Sequence, residues 1–279
     1  MTAGLVQLSV GDDPAANLPV TQQLVAEAAG QGASLVVTPE CTNLISGDRS
    51  WQSEILRPEA EDETLQALRR QASDLGIWLL IGSLALKSDD PGETRFVNRS
   101  LLVDPSGGIS ARYDKIHMFD VTISETESFR ESSAYRPGSH AVLADKPVRI
   151  GMTVCYDLRF PHLYRLLGQA GAEILSIPAA FNDTTGAAHW HVLLRARAIE
   201  TGSFVLAPAQ CGLHEAAHAA RPRERRSYGH SLAVSPWGDV LAEAEDGPGV
   251  RVVKLDLNAV RKARFRIPAI RTNQPFEAP

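Results

Sequence analysis

The chain has 279 residues, 44% of them apolar, enough to bury one large core or two modest ones. Its 28 basic and 33 acidic residues give a formal net charge of −5, an ordinary surface that excludes a basic nucleic-acid footprint. No apolar run approaches the roughly 18 residues of a membrane helix, and residues 1–8 lack the basic and apolar regions of a signal peptide.

Residues 5–10 read as a first strand, and apolar spacing over about 14–29 predicts a helix stopping at Gly30. Residues 34–38 form a second strand. Over 61–75, Leu65, Leu68, Ala72 and Leu75 recur at helical spacing until Gly76. Residues 77–84 are an apolar strand. The runs 96–103 and 109–113 flank Asp104-Pro105-Ser106-Gly107-Gly108, a strong turn signal, and predict a hairpin. Residues 149–153 end a buried strand just before Cys155, and helical spacing resumes from His162. A strand over 173–177 and a helix over about 188–201 follow. The last third predicts strands over 204–209, 230–235, 240–244 and 250–256, the middle pair joined by Pro236-Trp237-Gly238-Asp239. A short helix over about 258–264 precedes an extended tail from about residue 266. There is no internal repeat and no Pro/Gly/Ser linker, so residues 1–279 read as a single α/β domain with two packed sheets.

Three of these runs end in a reactive side chain. Cys155 stands at a strand-to-helix turn, where the carboxyl edge of a sheet holds ligands and a helix N-terminus favours thiolate. A lone cysteine is as readily a small buried hydrophobe. Glu40 closes the apolar run 33–39 just past Pro39, and Lys115 closes the alternating run 109–114. Taken singly, Glu40 reads as a helix cap and Lys115 as a solvated lysine. The combination, in that chain order, is far more specific.

It closely resembles the nitrilase superfamily of carbon–nitrogen hydrolases, in which a Glu–Lys–Cys triad does the chemistry. The likeness covers nearly the whole chain: residues 113–120 (YDKIHMFD), 129–132 (FRES), 155–161 (CYDLRFP), 178–186 (PAAFNDTTG), 189–190 (HW), 195–200 (RARAIE), 228–231 (YGHS) and 236–238 (PWG). This set is characteristic of the Nit branch, with its ω-amidases and deaminated glutathione amidases. Two departures stand out: Asp114 where an arginine often precedes the lysine, and a longer basic insertion before Tyr228.

The resemblance implies a four-layer αββα sandwich, usually dimerised through its helices, so a homodimer or a higher homo-oligomer is expected. It implies an amidase that hydrolyses non-peptide C–N bonds of a small carboxylate-bearing substrate through a thioester. Cys155 would be the nucleophile, Glu40 the proton shuttle, and Lys115 with the Tyr156 N–H the oxyanion clamp. Glu131 would orient substrate and Lys115. Chemically, a carboxamide demands such a set, because it is a poor electrophile with a poor leaving group. Phe181, Asn182 and Thr184 sit in a loop rich in donors, the best pocket wall in the sequence. Asp157 and Arg159 are expected to pair with each other. Glu40, if shielded from water, would carry a raised pKa.

Residues 209–214 and 227–231 look more like deaminated glutathione amidases than ω-amidases acting on 2-oxoglutaramate, which remain the alternative. A catalytically idle binding partner is the alternative of another class. The loop 214–226, with Arg221, Arg223, Arg225 and Arg226, is either a solvated surface or a lid attracting a carboxylate. His189 and His191 are two apart on a helix and so point to different faces, which disfavours a metal pair. No phosphate loop or dinucleotide fingerprint is present, and no cofactor or metal is implied. Cys41, Cys155 and Cys211 are an odd set without metal spacing, which points to a reducing, cytoplasmic home.

Overall fold

Alternation along the strands decides the architecture. The computed structural model describes residues 1–122, 128–218, 220 and 225–277. In the strand Thr2–Gln7, Leu5 and Val6 point to opposite faces, and both are buried. Leu5, Leu35, Val37, Leu80 and Leu102 share one apolar cluster with Ile150, Met152, Ile174, Val205 and Leu232. Their chain neighbours Val6, Val36, Leu79, Ile81 and Leu101 belong to a second cluster. That cluster includes Leu24 and Val25 of helix α1 (Pro14–Gly30). A sheet buried on both faces needs a layer on each side, and this sheet has one.

The strand order is Gly249–Lys254, Thr2–Gln7, Leu35–Val37, Trp78–Lys87, Phe96–Val103, Ile109–Asp114 in the first sheet. Thr2–Gln7, Leu35–Val37 and Trp78–Lys87 run parallel, and antiparallel strands extend both edges. The second sheet repeats the plan: Val240–Glu243, Leu232–Val234, Phe204–Ala207, Ile174–Ser176, Ile150–Met152, Val142–Ala144. Its parallel centre is formed by residues 150–152, 174–176 and 204–207.

A short helix α2 (Arg49–Ile55) precedes α3 (Glu63–Leu75), whose Leu65, Leu68 and Ala72 join α1 against the first sheet. Helices α4 (Pro161–Gln169) and α5 (Asp183–Thr201) cover the second with Leu163, Tyr164, Leu167, Trp190, Leu194 and Ala198. A last helix, α6 (Asn258–Arg266), follows. The layers are therefore helix, sheet, sheet, helix, the sandwich that the sequence motifs implied. Among the described residues, no helix is long and apolar enough to cross a membrane.

Two differences from the sequence reading have local causes. Helix α5 begins at Asp183, several residues before the expected start, because the Asn182 side chain caps it by accepting from Thr185 N at 3.2 Å. Helix α2 was not anticipated. Its apolar residues are too few to show periodicity, and Asp48 nucleates it by accepting from Ser50 N at 2.9 Å and Trp51 N at 3.2 Å.

The segment after the second sheet's strand Ile174–Ser176 presses against the first sheet at Gly82. A Cβ there would stand 1.9 Å from Thr38 O and 2.4 Å from Pro178 Cβ, so only hydrogen fits between the strand ends. Gly82→Ala is expected to destabilise the fold by at least about 1–3 kcal/mol, the usual cost of overpacking. Urea denaturation checks this. An unchanged midpoint would show that the sheets can part there freely.

Candidate active site

Strand ends converge on one edge of the sandwich. Glu40 follows Leu35–Val37, Lys115 follows Ile109–Asp114, Cys155 follows Ile150–Met152, and Ala180 follows Ile174–Ser176. The carboxyl ends of parallel strands are where open α/β sheets hold ligands.

Lys115 organises what gathers there. Its Nζ donates to Glu40 Oε1 at 2.9 Å and to both Glu131 oxygens at 2.9 Å. Glu40 Oε1 also accepts from Asn98 Nδ2 at 2.9 Å, and Oε2 from Ala180 N at 2.8 Å. Glu131 Oε2 accepts from Phe119 N at 2.6 Å. The Cys155 thiol lies against the Glu40 carboxylate, within range of its charge. Glu40, Lys115 and Cys155 are 3%, 2% and 7% exposed, so their charges face each other rather than water.

Burial alone would lift the Glu40 carboxyl. The charge and hydrogen bond of Lys115 outweigh it and hold the group below its usual value. Glu40 is thus an ionised carboxylate, and the expected raised pKa is corrected by its partner. Burial also works against the Lys115 ammonium, but Glu131 and Glu40 hold it protonated well above its usual range. Burial and then the Glu40 charge push the Cys155 thiol well above its usual value. The helix-dipole argument for a resting thiolate therefore fails. A turn of 3-10 helix, Cys155–Arg159, separates the sulfur from α4, and the adjacent carboxylate dominates. The resting set is carboxylate, ammonium and thiol.

The turn bearing Cys155 is braced from within. Cys155 has a φ of 49°, a strained value for a residue with a side chain. Its N–H donates to Pro178 O at 2.9 Å. Asp157, wholly buried, accepts from Tyr113 OH at 2.7 Å, Val154 N at 2.9 Å and His117 N at 3.0 Å. The His117 ring also meets it, Nδ1 to Oδ1 at 2.6 Å. Asp157 therefore does not pair with Arg159, as the sequence reading expected. Arg159 lies over the Phe181 ring at 5.1 Å and meets His189 Nδ1 at 3.2 Å.

Tyr156 follows the thiol, and its N–H is at the start of the turn, where N–H groups have no partner inside the helix. Its ring packs edge-on to Phe119 at 5.1 Å, with Phe129 beyond at 5.2 Å, giving an aromatic wall beside Glu131. Phe181 belongs to the surroundings through Arg159. Asn182 is a helix cap rather than a free loop residue, and it bridges Ser227. Thr184 is exposed on the first turn of α5, where its N–H donates to Asp183 Oδ1 at 2.8 Å.

Sequence reasoning missed Asn98 and Gln210. Asn98 is a buried amide in an apolar strand, a mismatch that marks it as functional. Gln210 Nε2 holds the Glu40 carbonyl at 2.9 Å and left no such signal. In the basic loop, Arg221 and Arg223 lie outside the described residues. Arg226 begins a short strand, Arg226–Tyr228, paired with Cys211–Leu213. As expected, His189 and His191 diverge. His191 Nε2 instead meets Glu243 Oε1 at 2.9 Å, which also meets His230 Nδ1 at 2.8 Å.

A family model described as carbon-nitrogen hydrolase matches residues 2–265. A Yersinia enterocolitica protein named deaminated glutathione amidase is 40% identical over 272 residues, covering 97% of this chain and 92% of the relative. The Caenorhabditis elegans NitFhit crystal structure superposes with a TM-score of 0.88 at 32% identity, covering 98% of this chain and 65% of that one. An amidase from Nesterenkonia, with acrylamide added at its active-site cysteine, superposes with a TM-score of 0.77 at 27% identity, covering 96% and 98%. The chain belongs to the carbon–nitrogen hydrolase family of the nitrilase superfamily and is a hydrolase of C–N bonds other than peptide bonds.

Proposed function

We propose that Cys155, Glu40 and Lys115 form the catalytic triad of a carboxamide hydrolase working through a thioester. The observation that carries this reading is the buried cluster in which the Lys115 ammonium donates to the Glu40 carboxylate and the Cys155 thiol lies beside it. Sγ adds to the amide carbonyl carbon as its proton passes to Glu40. The developing oxyanion is met by the Lys115 ammonium and the Tyr156 N–H, each donor worth on the order of 100- to 1,000-fold in rate. The C–N bond then breaks as Glu40 returns the proton to the departing amine. Water, deprotonated by Glu40, attacks the thioester and restores the thiol. Glu131 holds Lys115 in register throughout, and Phe181 and Asn182 contribute the wall.

The substrate we propose is deaminated glutathione, cleaved to 2-oxoglutarate and cysteinylglycine. The name of the Yersinia relative supports it, and an acidic substrate suits the Arg159 cation beside Phe181. The chain is read as one domain and a cytoplasmic protein, the latter on three free cysteines. It is read as a homodimer because Leu166 of α4, Val192 and Ile199 of α5 and Phe265 of α6 are exposed apolar side chains. Light scattering giving the mass of one chain would contradict that last point.

Purified protein is expected to cleave deaminated glutathione with a higher kcat/KM than 2-oxoglutaramate, followed by amine and ammonia release. A reversed preference would make it an ω-amidase. Cys155→Ala is expected to abolish both activities, and retained turnover would refute the thiol mechanism.

The pH profile follows from the shifts. Glu40 is lowered, so its protonation limits the rate only below its ordinary range. Cys155 and Lys115 are raised, so they leave the basic side untouched until well above neutrality. kcat/KM is expected to be flat between about pH 6 and pH 8. A histidine-like inflection inside that window would contradict the assignment of Glu40 as base.

A further inference from the structure

Glu40 and Glu131 place two carboxylates against one ammonium, so the triad with Glu131 carries a net negative charge. A substrate bearing carboxylates is repelled by such a centre unless further cations stand nearby. Arg159 is one, on the side of Tyr156 and Phe181. Arg225 is a second, carried by a different segment.

The hairpin that carries Arg225 lies across the site. The backbone of His214 donates to Arg225 O at 2.9 Å, next to the paired residues Leu213 and Arg226. Ser227 bridges Asn182, and Tyr228 N donates to Phe181 O at 2.9 Å. At its other root, Gln210 Nε2 donates to the carbonyls of Glu40 at 2.9 Å and Cys41 at 3.5 Å. The hairpin thus links the Phe181 wall to the Glu40–Cys41 segment. That root brings Arg225 toward the Glu40–Cys41 segment, within range for its charge to act on Glu40, Cys41, Tyr135 and His214. The residue is exposed, and its guanidinium has no hydrogen-bond or carboxylate partner among the described residues.

Sidedness gives this cation a specific role. This step rests on the mechanism proposed above, in which Glu40 hands its proton to the departing nitrogen. The leaving amine therefore lies on the Glu40 side, and the acyl half lies away from it. An amine of two residues extends about 7 Å from the scissile nitrogen to its terminal carboxylate.

We propose that Arg225 binds the carboxylate of the leaving amine, selecting amides whose amine half is a carboxylate-bearing peptide over primary amides with the same acyl half. Arg225 is then a specificity residue, and the departing cysteinylglycine carboxylate is its ligand. A primary amide such as 2-oxoglutaramate releases ammonia and offers it nothing.

The test compares Arg225→Gln with the unaltered enzyme on deaminated glutathione and 2-oxoglutaramate. The ratio of kcat/KM for the first over the second is expected to fall roughly 10- to 100-fold, the usual effect of losing a charged hydrogen bond. The fall should lie in KM, and Arg225→Lys should restore part of it. Thermal unfolding of Arg225→Gln should match the parent, because the exposed side chain has no hydrogen-bonded partner among the described residues. Equal losses on both amides, or no loss on either, would overturn the proposal. Failure of the mechanism itself reads out separately, as turnover by Cys155→Ala.

Discussion

Everything at the site depends on one buried ammonium shared by two carboxylates. Lys115 Nζ lies 2.9 Å from Glu40 and 2.9 Å from Glu131, away from solvent. Removing either carboxylate would leave a buried charge short of its counterpart, a situation costing several kcal/mol in comparable cases. The arrangement also settles the protonation states. Lys115 holds Glu40 ionised despite burial, and Glu40 in turn holds the thiol protonated. In the proposed mechanism the thiol is therefore latent at rest, and it reacts as a carbonyl carbon arrives to accept the electron pair while Glu40 accepts the proton.

The fold serves to keep that cluster dry and in register. Glu40 and Lys115 follow strands of the first sheet and Cys155 follows a strand of the second, so the distance from the charges to the thiol is fixed by how the sheets pack. Gly82 permits a close approach, with Thr38 on one side and Pro178 on the other. Asp157 holds the Cys155 turn through Tyr113, His117 and Val154, tying the second sheet to the Lys115 strand of the first. These contacts explain why a strained φ at Cys155 persists.

Much of this was legible in the sequence. The long periodic elements, such as α3 with Leu65 and Leu68, announce themselves because one face of a helix must be apolar. The Glu40, Lys115 and Cys155 motifs were visible because each ends a strand-like run, and family resemblance then joined them. Pairing between distant side chains was not legible. Asp157 and Arg159 are neighbours of opposite charge, yet Asp157 finds Tyr113 and His117 across the sandwich instead. The pKa directions were read wrongly for the same reason. Burial and helix dipoles are properties of one segment, whereas the dominant charges at Glu40 and Cys155 come from other strands. Asn182 shows a local version: composition marks a loop, and a single cap bond makes it the start of a helix.

The most direct measurement is acid-quench mass spectrometry of the enzyme mixed with a carboxamide substrate in excess. A covalent acyl adduct is predicted on the peptide containing Cys155, with the mass of the substrate less its amine. Its formation should be coupled to release of one equivalent of amine before steady turnover. Turnover with no adduct at any quench time, or an adduct on Cys41 or Cys211 instead, would contradict the account.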